Sequence, residues 1–140
     1  MTDLENAVRH LPGHALCLCK GTVLRTEDGR GISPMMKLLA EGCDLTGFSA
    51  ADLVVGKAAA MLFVRAGIVA VSGETMSASA KEYLEARGIP CRYGTLTERI
   101  INRQGTGLCP MEQTVLALDD PDEAYAALKA RLASLRQSGG

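Results

Sequence analysis

The chain has 140 residues, of which 47% are hydrophobic and 22% charged, and its formal net charge is −1. This length predicts a single domain over residues 1–140 with one core, in the composition range of globular proteins. The near-zero charge and the aromatic content of only 4% exclude a broad basic or base-stacking surface, so we expect no nucleic-acid partner.

Targeting signals and disulfides are not predicted either. No amino-terminal signal pattern is present, and the most apolar run, Leu53 to Val71, is interrupted by Lys57 and Arg65, which argues against a membrane span. The five cysteines form no C-x-x-C pair and favour reduced thiols, so we expect a cytoplasmic protein. Cys17 and Cys19 are two residues apart, which would place them on one face of a strand as core residues.

The first third of the chain alternates between helical and strand patterns. Its predicted elements are a helix over Asp3–His10, a hairpin of strands over His14–Lys20 and Thr22–Thr26, and a helix capped by Ser33 and ended by Gly42. The first hairpin strand is apolar almost throughout, which predicts a central strand covered on both faces. Residues 27–31 are interpreted as a loop.

A second helix is predicted from the spacing of polar residues around Ser49. Ser49 and Asp52 have the spacing of a capping box, and Phe48 and Leu53 could form a hydrophobic staple. The helix would run to about Ala66, with a break or new start near Gly56. Its faces are nearly all apolar beyond Leu53, so it should be buried.

The remaining elements alternate between strands and helices. They are a strand over Ile68–Ser72, a helix over Ser77–Arg87 ended by Gly88, a strand over Cys91–Leu96, a helix over Thr97–Arg103, a loop over Gln104–Leu108, and helices over Pro110–Leu118 and Pro121–Gln137. This order predicts an α/β fold in which an antiparallel pair and parallel strands form a mixed sheet between helical layers.

Three segments resemble a known protein family. They are Gly56-Lys57-Ala58-Ala59-Ala60, Ala80-Lys81 through Gly88-Ile89-Pro90, and Asn102-Arg103 with Cys109-Pro110-Met111-Glu112. Together they resemble a bacterial family of uncharacterised small proteins, a domain of unknown function with a cytidine-deaminase-like fold. The resemblance implies a three-layer α-β-α architecture and the position of a pocket, and it carries no established activity.

The deaminase analogy predicts that zinc is absent. Zinc deaminases place His-x-Glu at the start of the central helix and Pro-Cys-x-x-Cys at the next strand–helix junction. Here those places hold Gly56-Lys57-Ala58 and residues 73–77, without histidine or cysteine. We therefore expect neither a metal nor another cofactor, and no zinc-dependent deamination.

Lys57 is the strongest candidate for a ligand-binding residue. It stands at the start of an apolar helix, where free N–H groups attract anions, and Gly56 and Asp52 lie beside it in the sequence. The competing interpretation is a lysine whose stem packs while its ammonium reaches water. Asp52 could pair with Lys57, position a ligand, or only complement the helix N-terminus.

The other half of the predicted site is the glycine-containing loop after Ile101. Gly105 and Gly107 could present N–H groups to an anion, and Asn102 and Arg103 precede them with further donors. A flexible connection is the alternative. The leading hypothesis is binding of a small anionic metabolite, nucleotides included, in one pocket shared by Lys57 and this loop.

Cys109 and Glu112 leave several functions open. Cys109 precedes Pro110 at a helix start, where a thiol can act as a nucleophile or redox group, so an enzyme is the alternative function. Glu112 has capping-box spacing to Cys109, which would explain it structurally, and it could also contact a ligand. A third hypothesis is an accessory protein-interaction domain, and self-association into a homo-oligomer remains open.

Overall fold

The computed structural model describes residues 1–102, 104–105 and 107–139, with side chains described up to residue 135. Arg103 therefore lies outside the described residues. The elements in chain order are α1 (Asp3–His10), β1 (Leu16–Lys20), β2 (Val23–Glu27), α2 (Ser33–Ala40), β3 (Ser49–Val55), α3 (Lys57–Ala66), β4 (Ala70–Ser77), α4 (Ala78–Ala86), β5 (Cys91–Thr97), α5 (Pro110–Val115) and α6 (Pro121–Gly139).

The described strands form one mixed sheet in the order β2-β1-β3-β4-β5. β1 pairs antiparallel with both β2 and β3, whereas β3, β4 and β5 run parallel. Helices α3 and α4 are the crossovers that parallel pairing requires. The predicted α/β class, the antiparallel hairpin and the mixed sheet are confirmed.

Alternation along the central strands divides the core between the two faces of the sheet. Leu16, Leu18 and Ala50 belong to the larger cluster, which also contains the buried residues of α2, α3, α4, α5 and α6. Cys17 and Cys19 belong to the smaller cluster, which α1 covers. The predictions that β1 is buried on both faces and that its two cysteines share a face are confirmed.

The central helix α3 is buried as predicted. Leu62 and Phe63 are fully buried, and Gly67 ends the helix in the left-handed conformation, where a side chain would be strained. Helix α4 likewise begins after its cap, Ser77, whose hydroxyl accepts a hydrogen bond from the Ala80 N–H at 3.1 Å.

Two predicted helices are wrong. Residues Ser49–Val55 form β3. Ala50 and Ala51 are buried on opposite faces of the sheet, which is possible because successive side chains of a strand point to opposite faces. The capping-box spacing of Ser49 and Asp52 is therefore coincidental, and the buried helix starts at Lys57. The helix predicted over Thr97–Arg103 is not formed in its described part, residues 97–102: β5 continues to Thr97, and Ile101 forms an isolated antiparallel bridge with Leu108.

No helix in the described part of the chain is both long and apolar enough to cross a membrane.

Candidate functional site

The start of α3 is occupied by a carboxylate from a distant helix. Glu112 of α5 accepts hydrogen bonds from the Lys57 N–H at 2.7 Å and the Ala58 N–H at 2.8 Å, one to each oxygen. These are two of the N–H groups that a helix start leaves without an intrahelical partner. Glu112 is buried, with 7% of its surface exposed. The anion at this helix start is thus supplied by the protein itself.

Gly56 makes this contact possible through its missing side chain. A Cβ at this position would lie 2.6 Å from the Glu112 carboxyl carbon and from one of its oxygens. The backbone of Gly56 is extended, with φ −95° and ψ −179°, which any residue can adopt. Glycine is therefore required for the close approach of Glu112 and not for a special backbone conformation.

Lys57 completes a reciprocal contact between the two helices. Its ammonium donates a hydrogen bond to the carbonyl oxygen of Leu116 at 3.2 Å, and Leu116 is the carboxyl-terminal cap of α5. A cation at a helix carboxyl end and a carboxylate at a helix amino end both complement the backbone dipoles. Together, α5 caps α3 through Glu112 and α3 caps α5 through Lys57.

The ionisation of Glu112 is set by opposing influences. Burial raises the pKa of Glu112, whereas the hydrogen bonds from the Ala58 and Lys57 N–H groups and the charge of Lys57 oppose that increase. Two direct N–H donors at a helix start favour the carboxylate that the geometry requires.

The structure corrects two local interpretations of these residues. Glu112 does not close a capping box on Cys109, because its carboxylate bonds α3 and the Cys109 N–H donates instead to the carbonyl of Ile100 at 2.9 Å. The Lys57 and Ala58 N–H groups are not open to a free anion while Glu112 is bound to them. The sequence did contain a signal: the cap position, Gly56, has no side chain, so the helix start needed an acceptor from elsewhere.

The cavity beside Lys57 does not include the glycine loop. It has a volume of about 460 Å³ and is lined by Lys57, Ser79, Glu82, Tyr83, Ala86, Arg87 and Asp119. Two cations and two carboxylates share this wall, and Arg87 already bonds the backbone carbonyl of Asp119 at 2.7 Å and its carboxylate at 3.2 Å. Lys57 bonds the Leu116 carbonyl, so both cations of this wall already have acceptors within the protein.

The predicted glycine loop folds back on itself. The Asn102 N–H donates to the carbonyl of Gly107 at 2.8 Å, and the Gly105 N–H donates to the carbonyl of Asn102 at 3.1 Å, with Gly105 at φ +71°. The amide of Gly105 that we expected to hold an anion is therefore used within the turn.

Cys109 is a free, half-buried thiol at the amino end of α5. Its side chain makes no capping hydrogen bond, and α5 is only six residues long. The structure places Cys109 three residues before Glu112, on the segment that contacts α3. The two predicted halves therefore meet through the hydrogen bonds that Glu112 and Lys57 make between α5 and α3.

A larger cavity lies at the carboxyl end of β3. Its volume is about 710 Å³, and its wall is formed by Ala15, Gly29, Arg30, Gly31, Asp52, Leu53, Val54 and Ile101. These residues come from the start of β1, the loop before α2, the end of β3 and the segment before the glycine loop. Ligands of open α/β sheets commonly bind at carboxyl ends of strands, where the pairing direction changes, as it does on either side of β3.

Asp52 is the titratable group in the buried part of this wall. It is only 7% exposed, and its Oδ1 accepts a hydrogen bond from the Leu53 N–H at 2.7 Å. Burial raises the pKa of Asp52 to about 7, against the opposing hydrogen bonds from the Leu53 and Val54 N–H groups. The alternatives of a pair with Lys57 and of helix-start complementarity do not hold, since Asp52 lies within β3 and Lys57 bonds α5.

Arg30 is the cation of the same wall, and the sequence analysis missed it. It lies in a loop between Gly29 and Gly31, both at positive φ, and its side chain is exposed. Among the described residues, the Arg30 guanidinium has no hydrogen-bond or ion-pair partner, and Asp52 does not approach it within ion-pair distance. In the sequence, the feature that could have indicated Arg30 is its position between two glycines, Gly29 and Gly31.

Within the described ranges, no three histidine, cysteine, aspartate or glutamate side chains are grouped closely enough to hold a metal ion.

Comparison with known proteins places the chain in a family. Residues 7–132 match the family described as "Domain of unknown function (DUF1893)". The chain belongs to the DUF1893 family. A DUF1893 family protein (TM1506) from Thermotoga maritima, known from a crystal structure, shares the fold with a TM-score of 0.83 at 22% identity, over 94% of this chain and 91% of that one. No curated protein matches the chain. The predicted resemblance to an uncharacterised family is confirmed, and the family description names no function.

Proposed function

We propose that this DUF1893 protein binds a small anionic metabolite in the cavity at the carboxyl end of β3. The observation that carries the proposal is the pair of opposite charges in one cavity wall. Within the described ranges, Asp52 is buried without a cationic partner and Arg30 is exposed without an anionic one. A buried carboxyl is costly to the fold, so its position in a cavity wall favours a role in recognition.

The two side chains define the chemistry of the ligand. Arginine offers a planar set of donors that suits phosphate or carboxylate. Asp52 accepts hydrogen bonds when ionised, so it suits an N–H or O–H donor on the same molecule. Leu53, Val54 and Ile101 add apolar surface for a ring or short chain. A nucleotide carries all three features, with its phosphate towards Arg30 and the polar edge of its base towards Asp52.

This proposal keeps the predicted ligand class and moves the site. Asp52 remains in it, whereas Gly56, Lys57 and Glu112 belong to the α3–α5 contact. Arg103 remains a prediction outside the described residues. The enzyme hypothesis built on Cys109 gains no support from the described contacts of its thiol. The deaminase-like form of the architecture also remains a proposal, supported by an antiparallel pair followed by parallel strands.

Titration calorimetry with nucleoside monophosphates tests the proposed site. We expect binding of at least one of them to weaken about tenfold or more in Arg30→Gln and in Asp52→Asn, since each substitution removes a charge-assisted hydrogen bond. Arg9→Gln, on the exposed surface of α1, is the matched control and should bind like the wild type. Equal affinity of all four proteins would contradict the proposal.

A further inference from the structure

A separate cavity lies between two helices, next to the loop of residues 28–31 that also borders the proposed metabolite site. It is a groove of about 540 Å³ between α2 and α6, lined by Asp28, Ser33, Pro34, Met36, Lys37, Ala40, Tyr125, Lys129, Leu132 and Ala133. Its volume falls within the range of roughly 300–1,000 Å³ that is typical of ligand pockets. None of these residues lines the cavity at Asp52.

Both walls of the groove are continuous helical stripes. Ser33, Met36, Lys37 and Ala40 follow helical spacing on α2, and Tyr125, Lys129, Leu132 and Ala133 follow it on α6. Both helices contribute to the same core around α3, through Met35 and Leu38 on one side and Ala124 and Leu128 on the other. The groove is therefore the surface left between two helices that pack on a third.

The groove is lined mainly by apolar side chains and also carries two lysines. Six of its lining residues are apolar or aromatic: Pro34, Met36, Ala40, Tyr125, Leu132 and Ala133. One lysine comes from each wall, Lys37 and Lys129. Within the described part of the chain neither ammonium has a hydrogen-bond or ion-pair partner. The one carboxylate in the wall, Asp28, instead lies 3.1 Å from the ring nitrogen Nδ1 of His14.

We propose that the groove between α2 and α6 binds an anionic amphiphile, a fatty-acid-like molecule whose chain lies along the apolar floor and whose head group contacts Lys37 and Lys129. Charge complementarity favours this occupant: two lysines that have no partner in the described part of the chain share the groove with apolar side chains, which matches one anionic group on a hydrocarbon chain. The chain accounts for the apolar walls and the anionic group for the lysines, whereas a purely apolar ligand would leave the lysines unused.

Titration calorimetry with decanoate, kept below the concentration at which it forms micelles, tests this proposal. We expect one decanoate per chain, with affinity rising about threefold to fourfold for each methylene from octanoate to dodecanoate. The uncharged 1-decanol should bind more weakly than decanoate. The double variant Lys37→Met/Lys129→Met should weaken decanoate binding about tenfold, because two exposed charge contacts are lost. Lys81→Met, with the same change outside the groove, should not.

A filled-groove variant separates this site from others. Ala133→Trp puts a large ring into the groove and should abolish decanoate binding, whereas Ala126→Trp, exposed on the same helix but outside the groove, should leave it unchanged. Circular dichroism establishes that both variants fold. Nucleotide binding at Arg30 and Asp52 should survive Ala133→Trp, so failure of either proposal leaves the other standing.

Four outcomes would overturn the proposal. Absence of decanoate binding, or equal affinity for decanoate and 1-decanol, would exclude an anionic amphiphile as the ligand of the groove. Decanoate binding that persists in Ala133→Trp would show that the ligand binds outside the groove. A wild-type dimer that becomes monomeric in Ala133→Trp, measured by light scattering, would instead assign the groove to a second copy of the chain.

Discussion

At the scale of single residues, two carboxyl groups are buried in the described part of the chain, and they have different roles. Glu112 bonds two backbone N–H groups and has a clear structural purpose. Asp52 accepts hydrogen bonds from the amides of its own strand and lies in a cavity wall. Among the described residues, no cation pairs with it to offset the free-energy cost of its burial. This contrast is the reason for placing recognition at Asp52.

The pKa of Asp52 predicts how stability depends on pH. Its pKa is raised from 3.8 to about 7 in the folded chain, so the folded state holds the proton more tightly than the unfolded state does. Stability should therefore fall as pH rises from about 4 to about 7 and then level off, by at most about 4 kcal/mol from this group. Asp52→Asn should remove this decrease and be more stable than the wild type at pH 8.

Urea unfolding at pH 5 and pH 8 measures this effect. Glu98→Gln is the control, because Glu98 is exposed, has no side-chain hydrogen bond or ion pair among the described residues, and should leave the pH dependence unchanged. If Asp52→Asn is no more stable than the wild type at pH 8, burial of the Asp52 carboxylate does not lower the free energy of unfolding as the structure indicates.

The cysteines should differ in reactivity according to their exposure. Cys109 is half-buried, whereas Cys17 and Cys19 are fully buried in β1 beneath α1. Alkylation at pH 7, followed by mass spectrometry, should therefore modify Cys109 faster than either cysteine of β1. Labelling of Cys109 as slow as that of Cys17 would show that its thiol is shielded in solution. It would leave the enzyme hypothesis without an accessible nucleophile.

At the scale of elements, the contact between α3 and α5 depends on Gly56 and Glu112 together. Glu112→Ala leaves two N–H groups of α3 without acceptors and should destabilise the protein by about 2–4 kcal/mol. Gly56→Ala should cost a similar amount, because its Cβ displaces the same carboxylate. The double variant should lose little more than either single variant, since the same contact is lost once.

Urea unfolding of the single and double variants completes this cycle. Gly107→Ala is the matched control, because a Cβ there has no heavy atom within 4 Å and the backbone is not left-handed. Fully additive losses for Gly56→Ala and Glu112→Ala would show that the two positions act independently.

Lys57 should behave as a helix cap and not as a ligand group. Lys57→Met keeps the apolar stem and removes the hydrogen bond to the Leu116 carbonyl, so we expect a loss of about 0.5–1 kcal/mol in stability. Nucleotide affinity should not change. A clear loss of affinity with unchanged stability would restore the original hypothesis that Lys57 binds the anion.

Local sequence patterns predicted several helices and strands correctly. They failed where contacts with residues distant in the sequence determine the structure. The hairpin, α3 and α4 follow from hydrophobic pattern, caps and glycine stops, which act within a few residues. The segment Ser49–Val55 carries a helix-like start signal, but the sheet buries it from both faces. The acceptor for the α3 amides lies more than 50 residues away on α5, and no local pattern contains that contact.

At the scale of the whole molecule, the sheet and the helical layer divide the surface into separate sites. The end of β3 presents Asp52 and Arg30, the α3–α5 contact closes the helix start, and α2 with α6 form an apolar groove. Of the proposed site, the sequence had predicted Asp52 and an anionic ligand, but not Arg30. The pairing of a loop residue with a strand end depends on how β1, β2 and β3 align.

The most direct test of the central claim is a nitrogen–proton correlation spectrum of the ¹⁵N-labelled protein during titration with a nucleoside monophosphate. Each backbone amide reports its own surroundings, so the spectrum shows which of the two places receives the anion. We predict saturating shifts for the amides of residues 29–31 and for Leu53 and Val54, with Lys57 and Ala58 unmoved. Shifts at Lys57 and Ala58, with residues 29–31 unchanged, would mean that the ligand displaces Glu112 from α3 and would contradict the account.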